Sequence, residues 1–291
     1  MSAKMTVSIL YAVLAAVFYA LNMPASKLLL KYMEPTMLAA FLYLGAGIGI
    51  GALFLFHRHE QAENLTKKDL PYTLGMIVLD VAAPICLMFG LAHTTSANAS
   101  LLNNFEIVAT SLIALFLFKE AVSKRLWLAI LLITISSSVL SVEDLSGLRF
   151  SWGSLLVLAA AACWGLENNC TRSISSKNTY EIVTLKGIFS GLGSLIIAFF
   201  AGEKLPALPM MGMALLLGFV AYGLSIFFYI KAQSVLGAAK TSAYYAVAPF
   251  VGALLSFVFL REALTLRYAA AFLIMAAGTA LVVRDTMAGP A

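Results

Sequence analysis

Four ionisable side chains, Asp80, Glu106, Glu167 and Lys186, stand inside stretches of sequence too apolar to solvate them. In hydrocarbon such a charge costs about 3 kcal/mol or more unless it finds water, a partner or a proton. The chemistry open to these groups is therefore ion pairing, proton exchange or contact with a polar substrate. Asp80 lies near the middle of its stretch, with Pro84 one turn on and on the same helical face. A proline there loosens the helix. Asp80 then either lines a cavity, meeting a substrate amine or a proton, or packs as a protonated carboxyl hydrogen-bonded to another helix. Glu106 shares a helical stripe with Asn103 and Thr110, which faces either water or a hydrogen-bonded seam between helices. Lys186 lies toward the cytoplasmic end of its stretch and is expected to snorkel to the headgroups there.

Aromatic residues accompany these groups. Trp164, Glu167, Asn168 and Thr171 form one stripe; Tyr19, Asn22 and Ser26 form another. Tryptophan favours the membrane interface, yet Trp164 falls near a midplane, where its ring either packs as core or stacks on a ligand. Tyr222, Ser225, Tyr229 and Gln233 share a face, and Thr241, Tyr244, Tyr245 and Ala248 precede Pro249. Each tyrosine alone can be core or interface belt. Together they suit a greasy cavity that still hydrogen-bonds. The candidate substrate contacts are Tyr19, Asn22, Asp80, Asn103, Glu106, Trp164, Glu167, Tyr222, Tyr244 and Tyr245.

The elements that must position them are membrane helices. The chain of 291 residues is 62% hydrophobic and 11% charged, well outside the soluble range. Apolar runs long enough to span a bilayer as helices cover roughly 6–27, 35–56, 71–92, 96–118, 126–142, 152–172, 180–201, 208–231, 239–260 and 267–284. The runs are continuous rather than alternating, which disfavours a transmembrane barrel. The predicted class is an all-α polytopic membrane protein of ten helices. The first run is too long for the core of a cleavable signal peptide and reads as the first span.

Several function classes are disfavoured. The net charge of +5 invites a nucleic-acid reading. The basic residues, however, sit singly or in pairs at span ends, too sparse for such a footprint. Cys86, Cys163 and Cys170 lie within spans without metal-ligand spacing. His57, His59 and His93 fall at span ends or loops. With no nucleotide-binding loop or hydrolase motif, neither an enzyme nor a cofactor is expected. A carrier and a passive channel both stay open.

The halves of the chain repeat. Tyr19-Ala20-Leu21-Asn22 matches Trp164-Gly165-Leu166-Glu167, and Phe116-Leu117-Phe118-Lys119-Glu120 matches Val258-Phe259-Leu260-Arg261-Glu262. The glycines at 45, 47, 49 and 51 have counterparts at 187, 191 and 193. They allow close helix approach, as scaffold or as a dimer face; the protein is expected to function as a monomer. Glu120 and Glu262, each beside a basic residue, read as structural ion pairs. An odd number of spans per repeat inverts the second half, a recurring transporter plan. The repeats are assigned to residues 1–148 and 149–291. Placing both termini in the cytoplasm puts about twice as many Lys and Arg on inner loops as on outer ones.

Pro249-Phe250, then Phe259-Leu260-Arg261-Glu262-Ala263-Leu264-Thr265, then Gly278 resemble the EamA domain of the drug/metabolite transporter superfamily. The first half departs from the pattern, with Ile107 in place of the proline and Ser136 in place of the glycine. The resemblance covers essentially the whole chain. It implies two inverted EamA units in a bacterial inner membrane, exporting small metabolites. Length and the tryptophan of the sixth span look most like the aromatic amino-acid exporters of YddG type. The implied partners are the lipid bilayer and a small amino-acid-like substrate; the nearest alternative cargo is a cationic drug or quaternary amine.

Overall fold

Apolar runs become helices because a helix satisfies every backbone N–H and C=O within one segment. The computed structural model describes residues 3–56, 63–118, 123–144, 149–236, 241 and 244–288. In the first half the helices are α1 (Ala3–Ala20), α2 (Asn22–Leu29), α3 (Pro35–Phe56), α4 (Leu70–Ala92), α5 (Ser96–Leu102), α6 (Phe105–Phe118) and α7 (Lys124–Ser141). In the second half they are α8 (Trp152–Ile174), α9 (Thr179–Phe200), α10 (Leu208–Leu217), α11 (Ser225–Leu236), α12 (Ala248–Leu260) and α13 (Leu266–Ala288). A π-helical turn, Gly218–Leu224, joins α10 to α11. A short antiparallel ladder, β1 (Val142–Asp144) with β2 (Arg149–Phe150), links α7 to α8 and is a small departure from the all-α expectation.

Among the described residues, seven segments are long and apolar enough to cross a membrane. They correspond to the first, second, third, fifth, seventh, eighth and tenth expected spans. The other three differ for visible reasons. The fourth is interrupted between α5 and α6, α8 carries Glu167, Asn168, Asn169 and Arg172, and α12 is short.

The interruptions have local causes. Pro24 has no N–H for the carbonyl of Ala20, and the helix breaks at Leu21 between α1 and α2. Between α5 and α6 the backbone tightens to i→i−3 bonds: Asn104 N–H donates to Leu101 O, Glu106 N–H to Asn103 O and Ile107 N–H to Asn104 O, at 3.0–3.1 Å. Asparagine side chains compete with helical hydrogen bonds, and two stand together here. Pro84 leaves α4 continuous but cannot donate to the Asp80 carbonyl.

The main helix pairs are α3 with α9, α4 with α8, α7 with α13, α1 with α11, α6 with α8, α5 with α12 and α1 with α12. Glycine sets the closest of these. A Cβ on Gly187 would lie 2.2 Å from Gly47 N, and one on Gly191 would lie 2.7 Å from Leu44 N. The two helices therefore run antiparallel, backbone against backbone. Gly45 meets Leu215 O of α10 in the same way, at 2.1 Å. This glycine face is spent inside the chain, which favours the scaffold reading over a dimer face.

Among the described residues Glu262 forms no ion pair. Its carboxylate accepts from Ser96 N–H and Ala97 N–H, at 2.7 and 2.8 Å, and so caps α5. Glu203 does the same for α3, accepting from Thr36 and Met37 N–H at 3.2 and 2.7 Å. A carboxylate at a helix N-terminus meets unpaired donors and the positive end of the helix dipole. Glu120 lies outside the described residues.

Candidate functional site

Asp80 is fully buried on α4, facing α8, α9 and α3. Tyr43 Oη of α3 donates to its Oδ1 at 2.7 Å, and Trp164 Nε1 of α8 lies 3.3 Å from the same atom. Lys186 Nζ of α9 lies 3.0 Å from Oδ2 and 2.9 Å from Glu167 Oε1. Thr171 Oγ1 also donates to Glu167. Lys186 and Glu167 are 4% and 2% exposed, so this is a three-member ion cluster cut off from solvent. Charges so placed persist only when paired and hydrogen-bonded.

This corrects the reading of Lys186. It does not snorkel. It stands about two turns into α9, and the neighbouring Gly187 draws that backbone onto α3. The ammonium is thereby enclosed by α3, α4 and α8 and pairs with acids rather than headgroups. Sequence reasoning also passed over Tyr43. Its hydroxyl, two residues before the first glycine of α3, was the available signal.

A ring cluster adjoins the charges. Tyr222, from the π turn, packs on Tyr43 with centroids 5.1 Å apart and on Tyr19 of α1 at 6.0 Å. Tyr19 continues to Tyr245 at 5.8 Å, and Tyr245 to Tyr229 of α11 at 5.1 Å. Asn22 Nδ2 donates to Tyr222 Oη at 3.0 Å. Ser26 Oγ holds the Asn22 carbonyl at 2.9 Å. Tyr19 and Trp164 thus belong to one cluster, with Tyr43 and Tyr222 standing between them. Tyr245, rather than its neighbour Tyr244, supplies the ring; Tyr244 is half-buried, and no contact among the described residues joins it to the cluster.

Glu106, in the first turn of α6, forms a third part. Asn168 Nδ2 donates to its Oε1 at 2.5 Å. Asn103, at the α5–α6 break, donates to Tyr19 Oη at 3.3 Å. Nine of the ten candidate residues therefore converge, drawn from both halves of the chain. No cluster of three or more His, Cys, Asp or Glu able to hold a metal occurs among the described residues.

A separate cavity of about 510 Å³ lies at one end of the bundle, lined among others by Lys27, His93, Ser154, Arg267 and Tyr268. Lys27 Nζ is occupied there by the carbonyls of Leu91, Ala92 and Thr94, at 2.5, 3.3 and 2.7 Å, which ties α2 to the end of α4.

A bundle of apolar helices enclosing ionised and hydroxylic side chains is the architecture of a multi-pass membrane protein. The family model for EamA-like transporters matches the chain twice, over residues 6–142 and 151–284; the chain belongs to that family of membrane transporters. A protein of Methanothermobacter thermautotrophicus described as an uncharacterized transporter is 27% identical over 285 residues, covering 91% of this chain and 82% of its own. YyaM of Bacillus subtilis, described likewise, is 23% identical over 252 residues, covering 83% and 82%. A solved structure with a TM-score of 0.70 and 17% identity covers 98% of this chain and 99% of its own, a likeness of fold.

Proposed function

We propose that the protein is a secondary transporter exporting small amphipathic metabolites, aromatic or other apolar amino acids first among them, by alternating access. The observation that carries this is the buried Lys186, paired to Asp80 and Glu167 and adjoined by Tyr43, Trp164, Tyr222 and Tyr19. Ionisable groups in a membrane interior mark solute or proton pathways. An amino acid with an apolar side chain is a cargo whose ammonium suits interior carboxyls and whose side chain suits the rings.

The architecture proposed for it is ten spans in two inverted five-span repeats, 1–148 and 149–291, with both termini in the cytoplasm of a bacterial inner membrane. Helix pairing supports the inversion. The pairing of α4 with α8 recurs between its repeat equivalents, α11 and α1; that of α6 with α8 recurs as α12 with α1. The equivalent pair α3 and α9 meets itself, antiparallel, at glycine. In this orientation the cavity beside Lys27 opens outward and serves as an exit vestibule. Exporters of quaternary amines are a weaker fit, because a quaternary ammonium carries no N–H to donate to the interior acceptors.

The test is counterflow in proteoliposomes. Vesicles preloaded with phenylalanine, tryptophan or leucine are expected to take up the labelled amino acid saturably. Tetraphenylphosphonium is expected to exchange poorly. Non-saturable flux would make the protein a channel, and exchange of the cation alone would reassign the cargo.

A further inference from the structure

Asp80 and Glu167 are both committed to Lys186. Glu106 is placed differently. The partner the structure gives its carboxylate is the neutral amide of Asn168, and the side chain is only half-buried. It stands beside the α5–α6 break, where, among the described residues, Asn103 Oδ1, an acceptor, and Asn104 Nδ2, a donor that an ammonium does not serve, are buried without a hydrogen-bond partner. These residues are 4% and 2% exposed. An unsatisfied buried polar atom costs about 1–3 kcal/mol, and such atoms in native structures call for an explanation such as a missing ligand. The other end of the Asn103 amide is fixed by its donation to Tyr19 Oη.

The titratable groups within electrostatic reach of Glu106 are Glu167 from α8, Lys186 from α9, Tyr19 from α1 and Tyr245 from the chain before α12. Lys186 is already shared by two acids, so one cation serves three carboxyls. The local arrangement is short of a cation and rich in acceptors. A primary ammonium brings one charge and three donors. Glu106 and the Asn103 carbonyl offer acceptors, and the rings of Tyr19 and Tyr245 offer π faces.

We propose that Glu106 and Asn103 form the ammonium subsite for the cargo, while Asp80 and Glu167 stay paired to Lys186 as a fixed frame. This deepens the transporter reading above, and it rests on that reading only for the identity of the cargo.

The experiment uses the full chain in detergent and follows thermal unfolding against phenethylamine, with 3-phenylpropionate as its counterpart lacking the amine. Phenethylamine is expected to raise the unfolding temperature of the wild type. Its apparent affinity is expected to fall about ten-fold or more in Glu106→Gln, since a charge-assisted contact is lost. The response to 3-phenylpropionate should be unchanged. Gly212→Ala, at an exposed helical position with nothing within 4 Å of the added Cβ, should keep the amine response. Should Glu106→Gln fail to fold, Asn103→Leu carries the test, with the same loss expected. The proposal is overturned by a wild type indifferent to phenethylamine, by equal amine affinity in wild type and the folded variant, or by equal loss of both probes. Amine binding that depends on Glu106 in a protein showing no amino-acid counterflow would refute the cargo and leave the subsite standing.

Discussion

Lys186 is held between Asp80 and Glu167 with almost no access to water, so its replacement has a computable sign. Lys186→Met removes the shared counter-ion and strands two carboxyls in the interior. Breaking a buried ion pair from one side destabilises by about 3–5 kcal/mol. The expected outcome is a clearly lower unfolding temperature and a poor monodisperse yield. The triple variant Lys186→Met, Asp80→Asn, Glu167→Gln removes every charge in the frame and should recover much of the loss. A single variant as stable as wild type would mean the cluster carries no stability. The presence of Asp80, Glu106 and Glu167 in the interior was legible from sequence, because carboxyls in apolar runs are conspicuous. Their pairing was not. Lys186 sits near enough to a span end for its long side chain to reach headgroups. Only the glycine-mediated approach of α9 to α3 closes that route, and it is a tertiary fact.

Backbone contact at glycine governs the helices. Gly187→Val would drive a side chain into Gly47 N and Tyr43 O, which lie 2.2 and 2.8 Å from the added Cβ. Backbone cannot yield as a rotamer can, so a loss of about 1–3 kcal/mol or more is expected, read as a lower unfolding temperature. Gly212 is the contrast. It is helical, exposed and has nothing within 4 Å of an added Cβ. Gly212→Ala should be neutral or stabilise by about 0.5–1 kcal/mol. Equal behaviour of the two would remove the α3–α9 contact as a constraint. Both glycine-rich spans could be read from sequence. The α5–α6 interruption could not, because residues 96–118 form one apolar run, and Asn103 with Asn104 looks like a polar stripe rather than a break.

At the scale of the whole molecule, orientation is the property most open to direct test. The charge bias of the loops favours inner termini. With Cys86, Cys163 and Cys170 replaced, a single cysteine at Ser2 or at Ala288 should resist an impermeant thiol reagent in intact cells and react after lysis. Labelling of either from outside would reverse or break the proposed topology. The repeat could be found from sequence because short motifs survive in both halves, and the family model matches each half separately. The exchange of partners between halves, by which Tyr43 reaches Trp164 and Asn168 reaches Glu106, arises only from assembly.

The two halves are alike in one further detail. Ser26 donates to Asn22, and Thr171 donates to Glu167, each across one helical turn. One acceptor is an amide and the other an acid. Two separate copies of a single half-sized chain could not make that distinction. They would receive a lopsided molecule equally well in either of two poses. Joined in one polypeptide, matching positions are free to diverge one at a time. The pair Asn22 and Glu167 gives the interior a head and a tail, one side neutral and the other acidic.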